Sequence, residues 1–180
     1  MKNFSTPPPE LRKVLIPQNR LQERVSELGH EISQAYDGKD VAIVAILKGS
    51  FVFAADLLRA MTIPCSIDFM GISSYAGQPG SGVVQITKDL DESIAGRSVL
   101  LVEDIIDTGL TATYLLNNLN QRAPASVELC ALLDKSARRI IDLPIAYRGF
   151  EIPDVFVVGY GMDYQQHYRN LPYIAVLRQG

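Results

Sequence analysis

Two adjacent carboxylates, Glu103 and Asp104, follow directly on the apolar run Ser98–Val102 and precede Asp107-Thr108-Gly109-Leu110-Thr111. Paired charges at the end of a buried strand are costly unless a ligand uses them. Glu103 and Asp104 could accept hydrogen bonds from a sugar diol and could hold a hydrated Mg²⁺. Asp107–Thr111 has the makings of a phosphate cradle. Its glycine permits a tight turn, successive N–H groups face inward, and two threonine hydroxyls add donors at a helix N-terminus. Taken alone, the same residues also read as an acidic surface turn capping a helix. Asp-Thr-Gly occurs in aspartic proteases as well, but the helix-rich pattern of this chain does not suit a small all-β protease.

Other polar groups follow other apolar runs. Lys48-Gly49-Ser50 comes after Val41–Leu47, Asp134-Lys135 after Val127–Leu133, and Gly159-Tyr160-Gly161-Met162-Asp163 after Val155–Val158. The elements that must position them alternate between strand and helix. Leu21, Val25, Leu28, Ile32 and Ala35 recur at helical spacing from Asn19 to Tyr36, and Asp37-Gly38 stops that helix. Phe51–Met61 and Thr111–Arg122 are further helices, the second stopped by Pro124. Strands are expected at 41–47, 66–72, 83–87, 98–102, 127–133, 155–158 and 173–177. The stretch Ser5–Pro17, with its triple proline, reads as an extended arm. Ser73–Gly82 is rich in serine and glycine and reads as a mobile loop. This order predicts an α/β fold with a central, mainly parallel twisted sheet flanked by helices. Ligands of such sheets bind beyond the carboxyl ends of the strands, where these polar groups converge.

Composition removes several alternatives. The chain has 180 residues, 47% of them hydrophobic and 21% charged, so it fits one folded domain over 1–180 and excludes disordered, collagen-like and coiled-coil chains. A net charge of −3 gives no electrostatic case for nucleic acid or an anionic membrane. The longest apolar run, Val41–Leu47, is too short to span a bilayer, and there is no signal-like apolar segment at the N-terminus. Cys65 and Cys130 sit in apolar stretches without partner spacing, which reads as buried thiols in the reducing cytoplasm.

The fourteen residues Val99–Ala112 closely resemble the phosphoribosyl-diphosphate signature of type I phosphoribosyltransferases: apolar residues, two acids, two apolar residues, then acid-Thr-Gly-x-Thr. Leu47-Lys48-Gly49, Ser74-Tyr75, Lys135, Gly149–Asp154, Phe156–Tyr160, Asp163-Tyr164 and Arg169 follow in the order of the hypoxanthine-guanine branch, a similarity running from about Val14 to Val176. The resemblance implies a Rossmann-like fold with a small hood built from the chain ends. It implies transfer of 5-phosphoribose from phosphoribosyl diphosphate to N9 of a 6-oxopurine, releasing pyrophosphate.

Roles follow from the matched positions. Leu47, Lys48 and Gly49 match the pyrophosphate loop, with a cis peptide between Leu47 and Lys48. Glu103 and Asp104 match the pair that binds the ribose hydroxyls and Mg²⁺, and Asp163 a second metal position beside the purine. Asp107–Thr111, including Thr108, Gly109 and Leu110, match the 5′-phosphate loop, with Asp107 next to purine N7 as general base. Lys135 matches the donor to O6, Phe156 the ring stacked on the base, Val157 the backbone group that reads its edge, and Arg169 a pyrophosphate contact. Ser74 and Tyr75 match the closing pair of a mobile loop. Many members carry a lysine where this chain has Ser73. Met162 falls near purine C2 and does not choose between oxopurines. His30 and His167 receive no role.

Two other readings are weighed against this one. A regulator of the same fold that binds RNA or DNA should carry an added domain or a basic face, whereas this chain has no spare length, a net charge of −3, and keeps Asp107 and Lys135. A pyrimidine or xanthine enzyme fits the phosphoribosyl loop but accounts less well for Lys135 with Phe156-Val157. The expected partners are small-molecule substrates, with no nucleic acid and no membrane. Family resemblance implies a homodimer or homotetramer, for which the apolar segment Phe51–Met70 is a candidate interface.

Overall fold

A run as uniformly apolar as Val41–Leu47 is satisfied only where both faces of a strand are covered. The computed structural model, which describes residues 10–74 and 84–178, provides that cover. In chain order its elements are β1 (Leu11–Ile16), α1 (Gln18–Ala35), β2 (Val41–Leu47), α2 (Phe51–Ala60), β3 (Cys65–Ser74), β4 (Val84–Lys88), β5 (Ser98–Ile106), α3 (Leu110–Asn120), β6 (Ser126–Asp134), β7 (Tyr147–Glu151), β8 (Val157–Val158) and β9 (Ile174–Leu177). Alternate residues of β2 enter opposite cores. Val41, Ile43 and Ala45 meet Leu21, Val25, Leu28 and Ile32 of α1 and Phe53 and Leu57 of α2. Ala42, Val44 and Ile46 pack on the other side with Leu115 and Leu119 of α3.

The six-stranded sheet has the order β4-β3-β2-β5-β6-β7. All neighbours are parallel except the antiparallel edge strand β4. From β2 the chain moves outward to β3, and from β5 it moves the other way to β6 and β7. The order therefore reverses between β2 and β5, which opens a crevice beyond their carboxyl ends. A second sheet, β1-β9-β8, is antiparallel and joins the two chain ends around Leu11, Val158, Leu171 and Ala175. This is the expected hood.

Several boundaries differ from the sequence reading. Part of the extended arm is strand β1, because its main chain pairs antiparallel with β9. The run at 155–158 does not join the central sheet. Only Val157–Val158 forms a strand, in the hood, and the sixth central strand is Tyr147–Glu151, whose polar residues and Gly149 hide its periodicity. Strand β5 continues through Glu103 and Asp104 to Ile106, so the acidic pair lies within the strand's last turn of pleat rather than after it. Ser73 and Ser74 end β3, and the rest of the expected mobile loop, Tyr75 included, lies outside the described residues. Among the described residues no helix is long and apolar enough to cross a membrane.

Candidate active site

The crevice between β2 and β5 holds two adjoining clefts. One, of about 220 Å³, is lined by Glu103, Asp104, Asp107, Thr108, Gly109 and Thr111. The other, of about 560 Å³, is lined by Lys48, Lys135, Phe156, Val157, Asp163 and Arg169. Leu47, Gly49, Asp104 and Asp107 border both.

The smaller cleft is built where β5 turns into α3. Gly109 is the N-cap residue of α3 and has φ +86°, a left-handed conformation that glycine adopts without cost. A Cβ there would also stand 2.7 Å from Leu143 Cδ2, so space and conformation both require glycine. With Gly109 turned in this way, Leu110 N donates to Thr108 Oγ1 at 3.4 Å, and the next residues of α3, Thr111 and Ala112, line the cleft. On the opposite wall the Leu47–Lys48 peptide is cis, and a Cβ on Gly49 would collide with the Asp104 carboxylate. The Lys48-Gly49 backbone therefore lies directly against the acidic pair. Burial, reinforced by the neighbouring Asp104 charge, holds the Glu103 carboxyl well above the usual carboxylate range. Burial likewise pushes Asp104 up to about 6, against the pull of the Arg169 charge.

The larger cleft is assembled from β6, the hood and the loop between β8 and β9. The Lys135 side chain is 9% exposed, and its Nζ lies 3.9 Å from Asp154 Oδ1, beyond hydrogen-bond reach. Lys135 lines the cleft, and among the described residues its ammonium has no acceptor within hydrogen-bond reach. Asp107 Oδ1 is buried without a hydrogen bond, and Arg138 Nε approaches it at 3.3 Å without the alignment of one. Arg169 Nη2 pairs with Asp163 at 2.8 Å, and its Nη1 donates to the Gly161 carbonyl at 2.7 Å. Tyr160 fastens this loop to the core by donating its hydroxyl to Asp56 of α2. Gly161, at φ +100°, lets the loop pass so close to the Gly49 carbonyl that no Cβ would fit. The phosphate-loop side and the hood side are thus packed against one another through their glycines.

The profile of the phosphoribosyl transferase domain family matches residues 17–165. The chain is 46% identical over 177 residues to a hypoxanthine-guanine phosphoribosyltransferase of Mycobacterium avium, covering 94% of this chain and 87% of that protein. It is 46% identical over 170 residues to the bifunctional protein TilS/HprT of Listeria monocytogenes, covering 94% of this chain but only 26% of that longer protein. A crystal structure of a hypoxanthine-guanine phosphoribosyltransferase from Bacillus anthracis superposes with a TM-score of 0.91 at 46% identity, over 94% of this chain and 100% of that one. This chain is a member of the phosphoribosyltransferase family.

Most positions singled out by resemblance to that family border one of the two clefts. Leu110 does not, since it begins α3 behind the phosphate loop. Ser74 ends β3, and Tyr75 lies outside the described residues. The three carboxylates expected to serve a metal do not form one cage. Among the described residues no group of three acidic, histidine or cysteine side chains stands close enough to hold an ion, and Asp163 is engaged by Arg169. Mg²⁺ keeps several waters and commonly takes only one or two protein carboxylates beside substrate phosphates, so hard oxygen donors at two separate positions fit it. The sequence reading missed Ile72 and Ile105, which wall both clefts, and Arg138, which borders the larger one. Ile105 lay in plain view inside the acidic motif, as its apolar spacer. Arg138 gave no signal, because an arginine four residues beyond a strand end reads as a solvated surface residue.

Proposed function

We propose that this phosphoribosyltransferase moves the 5-phosphoribosyl group of phosphoribosyl diphosphate to N9 of hypoxanthine or guanine, giving IMP or GMP and pyrophosphate in purine salvage. One observation carries the choice of base. A buried lysine whose ammonium has no hydrogen-bond acceptor among the described residues and an aspartate whose only side-chain partner there is Arg138 line the same cleft. A 6-oxopurine presents their complement: an acceptor at O6 for Lys135 and an N–H at N7 for Asp107. Phe156, at 41% exposure, offers its ring to the base, and Val157 offers backbone groups to the base edge.

The sugar phosphate has its own partners. The Asp107–Thr111 backbone and the threonine hydroxyls cradle the 5′-phosphate, Glu103 and Asp104 take the ribose hydroxyls, and Lys48, Gly49 and Arg169 take the pyrophosphate. As N9 bonds to the ribose carbon and the bond to pyrophosphate breaks, the purine sheds its N7 proton to Asp107. Glu103 and Asp104 on one side, and Asp163 on the other, would hold Mg²⁺, which when bound neutralises diphosphate charge in a protein that is itself net negative. The enzyme acts as a homodimer or homotetramer, with Phe51, 43% exposed, in the candidate interface. A cytoplasmic setting accords with the free thiols Cys65 and Cys130.

The test is pyrophosphate release with each purine and pyrimidine base, with Mg²⁺ and with excess EDTA. Turnover is expected with hypoxanthine and guanine, not with pyrimidines, and is expected to vanish in chelator. Full turnover in EDTA would remove the metal from this reading, and a preference for a pyrimidine would remove the base.

A further inference from the structure

The segment that follows Lys135 is sewn to the phosphate loop. Lys135 N donates to the Ile106 carbonyl at 2.9 Å, and Ile140 N and Ile141 N donate to the Thr108 carbonyl at 2.9 and 3.2 Å. The Asp107 carbonyl lies between these two. It accepts from a side chain, Arg139 Nε, at 3.2 Å. The same guanidinium turns Nη2 to the carboxylate of Asp134, the residue immediately before Lys135. Asp134 is only 5% exposed and Arg139 15%, and Arg148 Nη1 completes the carboxylate's shell at 3.1 Å. A single planar group thus spans the residue carrying the purine's proton acceptor and the residue preceding the purine's O6 donor.

We propose that Arg139 is a positioning residue that holds Asp107 and Lys135 in one frame, so that binding of the 5′-phosphate side sets the purine side for recognition. The inference rests on the phosphoribosyl-transfer reading above and deepens it. Arg139 lines neither of the two clefts. It acts through the Asp107 main chain and the Asp134 carboxylate. The fork holds both partners in one plane from two separate nitrogens, whereas an ammonium's donors all leave one atom and cannot reproduce that planar reach. The main-chain stitches survive any change at Arg139, so the fold of the segment does not depend on it alone.

The experiment is calorimetric titration of wild type and Arg139→Lys with IMP, hypoxanthine and ribose 5-phosphate, beside steady-state kinetics. In Arg139→Lys the Kd for IMP is expected to rise about tenfold, the factor set by one hydrogen bond of ordinary net strength. The Kd for ribose 5-phosphate should stay within about twofold, and kcat should fall about tenfold with KM for phosphoribosyl diphosphate unchanged. A general loosening of the site would instead raise both Kd values together, and that result overturns the proposal. So does an unchanged Kd for IMP. If Arg139→Lys melts well below wild type, Asp134→Asn replaces it. That variant keeps the bond to Asp107 and removes the charge that holds the Lys135 end, and it should show the same split or overturn the proposal. Wild type binding neither hypoxanthine nor IMP would overturn the purine reading and this inference with it. Wild type binding IMP no better than a variant overturns the inference alone.

Discussion

The phosphate side and the purine side of the crevice are built in opposite ways. Between Glu103 and Thr111 one continuous stretch supplies the groups proposed as ribose acceptors, proton acceptor and 5′-phosphate cradle, all at the junction of β5 and α3. The purine side draws Lys135 from the end of β6, Phe156 and Val157 from the hood, and Asp163 and Arg169 from the loop before β9. The first half is fixed by local backbone geometry at Gly109. The second depends on side chains that hold separate segments together, such as Tyr160 on Asp56 and Arg169 on the Gly161 carbonyl. Chemistry common to a family suits a continuous motif, and choice of base suits parts that can change one at a time.

The contrast is tested most severely at Asp107, which borders both clefts. Asp107→Asn keeps the shape of the side chain and removes its basicity. General base catalysis contributes ~10²–10⁴-fold, and kcat is expected to fall by that range. Because the cradle is made mainly by main-chain groups, the Kd for phosphoribosyl diphosphate should change by less than about threefold. Single-turnover kinetics together with direct binding separate the two effects. A loss below about tenfold in kcat would make Asp107 a loop residue only.

A smaller effect is expected at Lys135, and it should fall on one side alone. An ammonium has three donors and no acceptor, so it bonds the O6 of a 6-oxopurine and confronts the amino group of adenine. A hydrogen bond to a charged group contributes about 1.5–3 kcal/mol, so Lys135→Ala should lower kcat/KM for hypoxanthine and guanine roughly 10- to 100-fold. The ratio of hypoxanthine to adenine should shrink as well, since the mismatch goes with the contact. KM for phosphoribosyl diphosphate should barely move. If the ratio holds, Lys135 does not read the base.

The same contrast explains how much the sequence disclosed. Glu103–Thr111 was legible because every group in it is adjacent in the chain, and residue types such as paired acids and Thr-Gly-x-Thr have few other uses together. The β2, β5 and β6 strands were legible because each carries a run of apolar residues buried on both faces, with polar residues confined to the strand ends and Glu128. Strand β7 was not, because it borders the sheet and is only partly buried, with Arg148 and Glu151 exposed. Its place is secured by α1 instead, where Arg24 donates to the main-chain oxygens of Arg148 and Gly149. Arg138 and Arg139 were illegible for a related reason. Their partners Asp107 and Asp134 lie across the fold or behind a turn, and spacing in sequence carries no trace of such contacts.

The smallest effect is expected far from both clefts, at Tyr36. Its side chain ends α1, is 1% exposed, and donates to Glu128 Oε2 at 2.8 Å. Glu128 lies near the start of β6, the strand whose other end carries Lys135, about 20 Å away at the rise of an extended chain. Tyr36→Phe keeps the packed ring and removes only the donor. Glu128 is partly exposed and can turn to water, so the loss should be about 1 kcal/mol, the ordinary net contribution of one hydrogen bond. For a chain of this size that lowers Tm by about 2–4 °C, measurable by thermal melting. Both kcat/KM for hypoxanthine and KM for phosphoribosyl diphosphate should stay at wild-type values, because each half of the site is set by contacts at the carboxyl ends of the strands. A drop of more than about threefold in either constant, with so small a change in Tm, would mean that β6 transmits its packing along its whole length. The purine side would then be positioned by the core, and its independence from the rest of the sheet would be lost.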